Sequence, residues 1–184
     1  MFQLVVDNDI ILKELNPDNA GLIFNVINSN REYLRKWLSW VDTTKAVEDT
    51  IFYVQSVADP DIYKSRIVFE IWYKEIFTGL IDFHSSDQIN KKVEIGYWLA
   101  ENFQGKGIVT KACKTCIDYA FNNFDIEKIN IKCAIGNIKS QKIPQRLKFK
   151  LEQYEKNFQD SAGEEIIIAV FSMHKNEWFD LYFR

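Results

Sequence analysis

Val93-Glu94-Ile95-Gly96-Tyr97-Trp98-Leu99-Ala100-Glu101-Asn102-Phe103-Gln104-Gly105-Lys106-Gly107-Ile108-Val109-Thr110-Lys111-Ala112 holds two periods back to back. Up to Leu99 the side chains alternate. Val93, Ile95, Tyr97 and Leu99 fall on one face and Glu94, Gly96 and Trp98 on the other, which predicts a strand. From Ile108 the apolar residues return at helical spacing, through Ala112, Cys113, Cys116, Ile117, Ala120, Phe121 and Phe124. Between the two lies a turn with Gly105 and Gly107, in a chain that holds only 7 glycines in 184 residues. A strand that enters an amphipathic helix through such a turn aims free backbone N–H groups and the positive end of the helix dipole at one spot. An anion is the expected occupant, with Lys106 adding charge from the rim. The spacing is neither that of the P-loop nor the dinucleotide G-x-G-x-x-G. By itself a G-x-G reads equally well as a plain tight turn.

Working toward the N-terminus, Arg66 to Tyr73 and Ile76 to Phe83 are rich in β-branched and aromatic residues and are parted only by Lys74-Glu75, which predicts a hairpin. Polar Ser85 to Lys92 predicts the next turn. Ile10 to Leu15 reads as a first strand, and Asn16-Pro17-Asp18-Asn19 as an N-cap with proline at the first helical position. Helices are expected around Leu22, Ile23, Val26 and Ile27, over Asn30 to Trp40, and over Ala46 to Ala58, stopping near Asp59-Pro60. Toward the C-terminus, Lys128 to Ile135 alternates as a strand and Ile138 to Leu147 predicts a short helix. Ile166 to His174 is apolar enough for a central strand. The order predicts one mixed-sheet α/β domain over 1–184 with helices on both faces, without internal repeats or linkers.

The bulk composition excludes several classes. Hydrophobic residues at 47% and charged ones at 27% rule out a disordered chain. A formal net charge of −3, with no Lys/Arg block, gives no footing for nucleic acid. The longest apolar run, Ile166 to Phe171, is far too short to cross a bilayer, and the first residues lack the basic region of a signal peptide. Three cysteines give no even disulfide framework, so a reduced cytoplasmic setting is expected. Cys113 and Cys116 form a C-x-x-C, but both fall on the apolar stripe of the expected helix and read as small core residues. No second ligand pair completes a zinc site, so no metal is expected.

These phrases together resemble the Gcn5-related N-acetyltransferase superfamily, whose acetyl-CoA signature is [Gln/Arg]-x-x-G-x-[Gly/Ala]. Gln104-Gly105-Lys106-Gly107-Ile108-Val109 fits except at its last position, where Val109 replaces a small residue. The chain is most similar to the branch that includes enzymes acetylating ribosomal-protein N-termini. Glu94-Ile95-Gly96-Tyr97-Trp98-Leu99 carries that likeness, as do Gly136-Asn137-x-x-Ser140-x-x-Ile143-Pro144, Tyr33-Leu34-x-x-Trp37-Leu38-x-Trp40 and Glu177-Trp178. The branch usually shows Gly-Phe where this chain has Lys148-Phe149.

The resemblance implies a mostly antiparallel central sheet and a set of roles. The CoA pyrophosphate would sit on the backbone amides of Gln104, Gly105, Lys106, Gly107, Ile108 and Val109, and the pantetheine arm would pair with the backbone around Trp98 and Leu99. Asn137 matches the family asparagine that hydrogen-bonds the pantetheine, and Ser140 the position near the CoA sulfur. Ser140 is then the candidate donor to the leaving thiolate and Glu94 the candidate base. Tyr33, Trp37 and His84 are candidates for contacting the acceptor. Each has a plainer reading: Asn137 and Ser140 as caps of the short helix, Glu94 as a solvated strand residue, and Tyr33, Trp37 and Trp40 as core.

The expected activity is transfer of an acetyl group from acetyl-CoA to an amine, a protein N-terminus or a small amine such as a polyamine or aminoglycoside. A non-catalytic CoA-binding domain is the third reading. The partner is then the amine acceptor, with no nucleic acid and no membrane, and a homodimer is left open. Acceptor choice would live in the front helices and in the loops Asp59 to Ser65 and Gln159 to Gly163.

Overall fold

The computed structural model describes residues 2–57, 66–159 and 165–183. The loops expected to help choose the acceptor, and the expected stop of the third helix near Asp59-Pro60, lie largely outside those residues. The strands are β1 (Gln3–Val5), β2 (Ile10–Glu14), β3 (Ile67–Tyr73), β4 (Ile76–Asp87), β5 (Lys92–Leu99), β6 (Lys128–Ala134), β7 (Lys150–Gln159) and β8 (Glu165–His174). The helices are α1 (Ala20–Ser29), α2 (Arg31–Leu34), α3 (Val47–Val57), α4 (Ile108–Asn123), α5 (Ile138–Arg146) and α6 (Lys175–Tyr182). The strands form one sheet in the order β1-β2-β3-β4-β5-β6-β8-β7. Every pairing is antiparallel except β5 with β6.

Alternation along the strands sorts the core into two layers. Phe69, Ile71, Ile81, Phe83, Val93 and Ile95 face α4, which returns Ile108, Ala112, Cys113, Cys116, Ile117 and Phe121, while Trp178 of α6 seals the same layer. Val68, Leu80 and Trp98 face the other way, onto Ile23 and Ile27 of α1 and Val54 and Val57 of α3. Helices therefore cover both faces. Cys113 and Cys116 are buried in the first layer, where loss of solvent pushes both thiols up, in line with their reading as core residues.

Several elements differ from expectation for local reasons. The predicted helix Asn30 to Trp40 stops at Leu34, and a 3-10 turn follows over Ser39–Asp42. Arg31 folds this segment back by donating to the carbonyls of Val41 and Thr44. At the start of α1, Asn16 accepts from the Asp18 N–H as predicted, but Pro17 opens a 3-10 turn that precedes α1. Buried Glu70 holds that entry by accepting from the Asn16 N–H, the Asn19 amide and the Trp72 indole. The Lys74-Glu75 hairpin forms, with both residues at positive φ. β4 runs on to Asp87, into the stretch expected to be a turn. β1, β7 and α6 were not predicted.

The seam between β5 and β6 is what positions the site. Parallel pairing lasts only for Lys92↔Lys128, Val93↔Ile129 and Glu94↔Asn130. Beyond Glu94 the two strands part, while β5 stays bonded to β4 as far as Leu99 and β6 to β8 as far as Ala134. The last half of β5 therefore turns one backbone edge toward a gap instead of a neighbour. Gly79 keeps β4 close at this point, since a Cβ there would lie 2.1 Å from the Trp98 carbonyl oxygen. Only glycine permits that approach.

Candidate active site

The gap leads to the glycine turn. Gly105 and Gly107 both have φ +75°, and a Cβ added at either would meet nothing within 4 Å. Gly107 is the N-cap of α4 and supplies no side-chain cap, so the first N–H groups of a 16-residue helix face open space beside Gly105. Lys106 is turned away from this space, its ammonium resting over the rings of Phe103 at 5.0 Å and Tyr73 at 5.5 Å. Val109 packs its larger side chain in the core, 8% exposed, and borders the same space.

A cavity of about 430 Å³ fills the gap. Gln104, Gly105, Gly107, Ile108 and Val109 line one end, Trp98 and Leu99 the strand side, and Asn137 and Ser140 the side of α5. Tyr33 and Trp37 close it from the front. Asn137 caps α5 by accepting from the Ser140 N–H at 3.1 Å, as its plainer reading anticipates, and it also borders the cavity. Lys139 and Arg146 join Ser140 and Ile143 on the lining face of α5. These two cations escaped the sequence reading, though their i, i+7 spacing with Ser140 and Ile143 between them is the signature of one helical face. Lys139 reaches across the gap to donate to Gln104 at 2.7 Å. Lys111 also borders the cavity and is paired with Asp7 at 2.7 Å.

At the inner end Ser140, Tyr97 and Cys133 form a chain. Ser140 Oγ donates to Tyr97 Oη at 3.2 Å, Tyr97 Oη donates to the Ser140 carbonyl at 3.2 Å, and Cys133 Sγ is 3.2 Å from Ser140 Oγ. Burial raises the Tyr97 phenol well above its usual range, in keeping with its role as donor to the Ser140 carbonyl. Burial raises the Cys133 thiol too, against hydrogen bonds to Ser140 and Tyr97 that pull it down. Tyr97 falls on the apolar face of the expected strand, and its hydroxyl is the one sequence clue to a polar role.

A second cavity, of about 1090 Å³, lies on the α1–α3 side of the sheet and shares Leu38, Tyr97 and Trp98 with the first. His84, Asp82, Arg66 and Asp49 line it. The candidate acceptor residues are thus divided: His84 borders the second cavity, whereas Tyr33 and Trp37 border the first. Glu94 sits behind His84, 8% exposed and ion-paired with Lys132 at 3.0 Å. Desolvation pulls the Lys132 ammonium down, but hydrogen bonds to Glu94 and Glu155 outweigh it and raise it overall. Glu94 is not a solvated strand residue. Among the described residues, no three His, Cys, Asp or Glu side chains gather as metal ligands, and no helix is long and apolar enough to cross a membrane.

Bare helix-start amides, a gap between two parted strands and a hydroxyl where two cavities meet suit a transferase that lays a phosphate-bearing acyl donor through its sheet. The chain belongs to the family described as "Acetyltransferase (GNAT) domain", which matches residues 9–150. It is 30% identical over 192 residues to YdaF of Bacillus subtilis (strain 168), provisionally named a ribosomal N-acetyltransferase, covering 97% of this chain and 98% of that one. It is also 30% identical to the ribosomal-protein-serine acetyltransferase of Escherichia coli (strain K12), over 80% of this chain and 82% of that one. Among solved structures, the microcin C7 self-immunity acetyltransferase MccE, in complex with acetyl-CoA and AMP, superposes with TM-score 0.86 at 28% identity, covering 92% of this chain and 94% of the other.

Proposed function

We propose that this chain transfers an acetyl group from acetyl-CoA to the α-amine of a protein N-terminus, of the ribosomal-protein kind. The parting of β5 from β6 over the glycine turn carries the reading. It supplies bare amides for phosphates at one end and an unpaired strand edge for an extended amide-bearing arm, with Ser140 at the inner end. The names of the two relatives point to the acceptor class. In this scheme the neutral amine enters by the second cavity, its proton passes to a base on the β4–β5 ladder that Glu94 belongs to, and Ser140 protonates the departing thiolate with Tyr97 behind it. A protein that draws on acetyl-CoA and ribosomal proteins would work in the cytoplasm.

A small amine is the second reading, since MccE is named for self-immunity to microcin C7 and not for a ribosomal protein. Polyamines fit least well. Of the carboxylates lining the second cavity, Asp82 is held by Arg66 at 2.8 Å, and Asp49 accepts from the backbone N–H groups of Lys45 and Ala46. The test is incubation with acetyl-CoA and peptides carrying different N-terminal residues, beside spermidine and an aminoglycoside. Acetylated peptide α-amine in the mass spectrum is expected. Acetylation of small amines alone would overturn the acceptor class, and CoA binding without any product would favour a non-catalytic domain.

A further inference from the structure

Charged side chains also converge along the β4–β5 ladder, where Asp82 stands opposite Gly96 and His84 opposite Glu94. Asp82 and His84 are two apart on β4 and so share a face, and both border the second cavity. Gly96 makes room for them: a Cβ there would lie 2.6 Å from Asp82 Oδ1 and 2.9 Å from His84 Cε1. Arg66 donates to Asp82 Oδ2 from Nε at 3.0 Å and from Nη2 at 2.8 Å. Asp82 Oδ1 is left beside the imidazole, 3.4 Å from Nδ1. On the other side, His84 Nε2 is 3.7 Å from Glu94 Oε2. Glu94 is paired with Lys132 at 3.0 Å, and Lys132 with Glu155 at 3.1 Å.

In this row each carboxylate already has a cation, and only the imidazole is uncommitted. His84 Nδ1 is buried without a hydrogen-bond partner, while the side chain as a whole is 35% exposed. Nε2 is therefore the nitrogen left to the cavity. Resting on the acetyl-transfer reading above, we propose that His84 is the group that takes the proton from the attacking amine, with Asp82 and Glu94 as positioning residues on either side of its ring.

With Nδ1–H turned to Asp82, the Nε2 lone pair accepts the proton as the amine nitrogen bonds to the thioester carbonyl carbon. The carbon–sulfur bond breaks, and the thiolate takes a proton from Ser140. The ring stands between two carboxylates, 3.4 Å from Asp82 and 3.7 Å from Glu94. It returns its proton to water, from which Ser140 is replenished. The charged and titratable groups around it are Asp82 and Arg66, Glu94 of β5, Lys132 of β6, Glu155 of β7, and Asp49 and Tyr53 of α3 across the cavity. Glu94 then acts through His84 instead of meeting the amine itself.

The test compares pH–rate profiles of the wild type, His84→Gln and His84→Ala. We expect kcat/KM to fall about 10²-fold or more in both and the acidic limb to flatten. The KM for acetyl-CoA should be unchanged, and added imidazole should partly restore the alanine variant. Because the chain has 2 histidines, the His84 resonance is assignable by comparison with the glutamine variant, and its NMR titration in the wild type should share the midpoint of the kinetic limb. An unchanged limb in His84→Gln overturns the assignment, as does a wild-type imidazole midpoint well away from that limb. The titration stands even if the alanine variant fails to fold. Absence of acetyl transfer by the wild type would overturn the acetyltransferase reading itself.

Discussion

At the start of α4 the chain turns through Gly105 and Gly107, each at φ +75°, and at the end of α5 it turns through Lys148 at φ +64°. Left-handed backbone costs a side-chain-bearing residue about 1–2 kcal/mol, so the second turn carries a penalty the first avoids. At Lys148 the conformation closes a helix. The Phe149 N–H bonds the Pro144 carbonyl at 2.9 Å and the Lys148 N–H bonds the Gln145 carbonyl at 3.1 Å, the pairing of a Schellman stop, and Phe149 is buried in the core with Ile143 packed against it. At Gly105 and Gly107 no protein atom occupies the space a Cβ would take. The chain's own packing does not ask for glycine there. Bare amides facing open space are what an arriving anion requires. The departure from the family pattern at Lys148 therefore falls at a helix stop.

The sharpest way to break this comparison is Gly107→Val. A β-branched residue at that φ should weaken CoA binding about 10²-fold or more, about 2.7 kcal/mol, seen as loss of the thermal shift produced by saturating CoA. Folding should suffer less, by about 1–2 kcal/mol. If CoA still binds, the turn is structural. Next in size is Gly79→Ala, where the clash with the Trp98 carbonyl should cost about 1–3 kcal/mol in urea unfolding and disturb the β5 edge beside the first cavity.

Lys148→Gly is the converse experiment. Relief of the left-handed strain, less the added freedom of the unfolded chain, should stabilise the protein by about 0.5–1 kcal/mol, a rise in Tm of about 2 °C, with kcat unchanged. A fall in kcat would place Lys148 in the chemistry and undo the contrast. The smallest effect is at Asp7, whose carboxyl is held below its usual range by hydrogen bonding from Lys111 and the Asp9 N–H. A lowered folded-state value means the contribution is complete above the unfolded carboxylate range and disappears as pH falls through the folded value. Asp7→Asn should cost about 0.3 kcal/mol at neutral pH, after screening, and nothing once the wild-type carboxyl is protonated, as paired unfolding curves would show.

How legible each region was follows from what its residues bury. α4 and β5 were readable because one face of each is apolar, and β8 because Ile166 to Phe171 is apolar throughout and lies inside the sheet. β7 was not: at the sheet edge, its Lys150 to Lys156 side chains are nearly all exposed, so Lys-Leu-Glu-Gln-Tyr-Glu-Lys shows no alternation. The Asn30 to Trp40 helix was overdrawn because its aromatic spacing is helical, whereas the Arg31 bonds to distant carbonyls that shorten it leave no local trace. The proposed cofactor end of the site was legible for a physical reason: amides at a glycine turn are fixed by local sequence. The proposed acceptor end depends on Asp82, His84, Gly96 and Glu94 meeting across two strands, and Gly79 and Tyr97 gain their importance from register alone. Adjacency in sequence cannot supply that.

Thiol release from acetyl-CoA by the purified chain, with and without a peptide bearing a free N-terminal serine, tests the central claim most directly. The account predicts release that depends on the peptide, matched mole for mole by α-N-acetylated product. Release no faster with any peptide or small amine than without, in a chain that CoA still stabilises against heat, would contradict it.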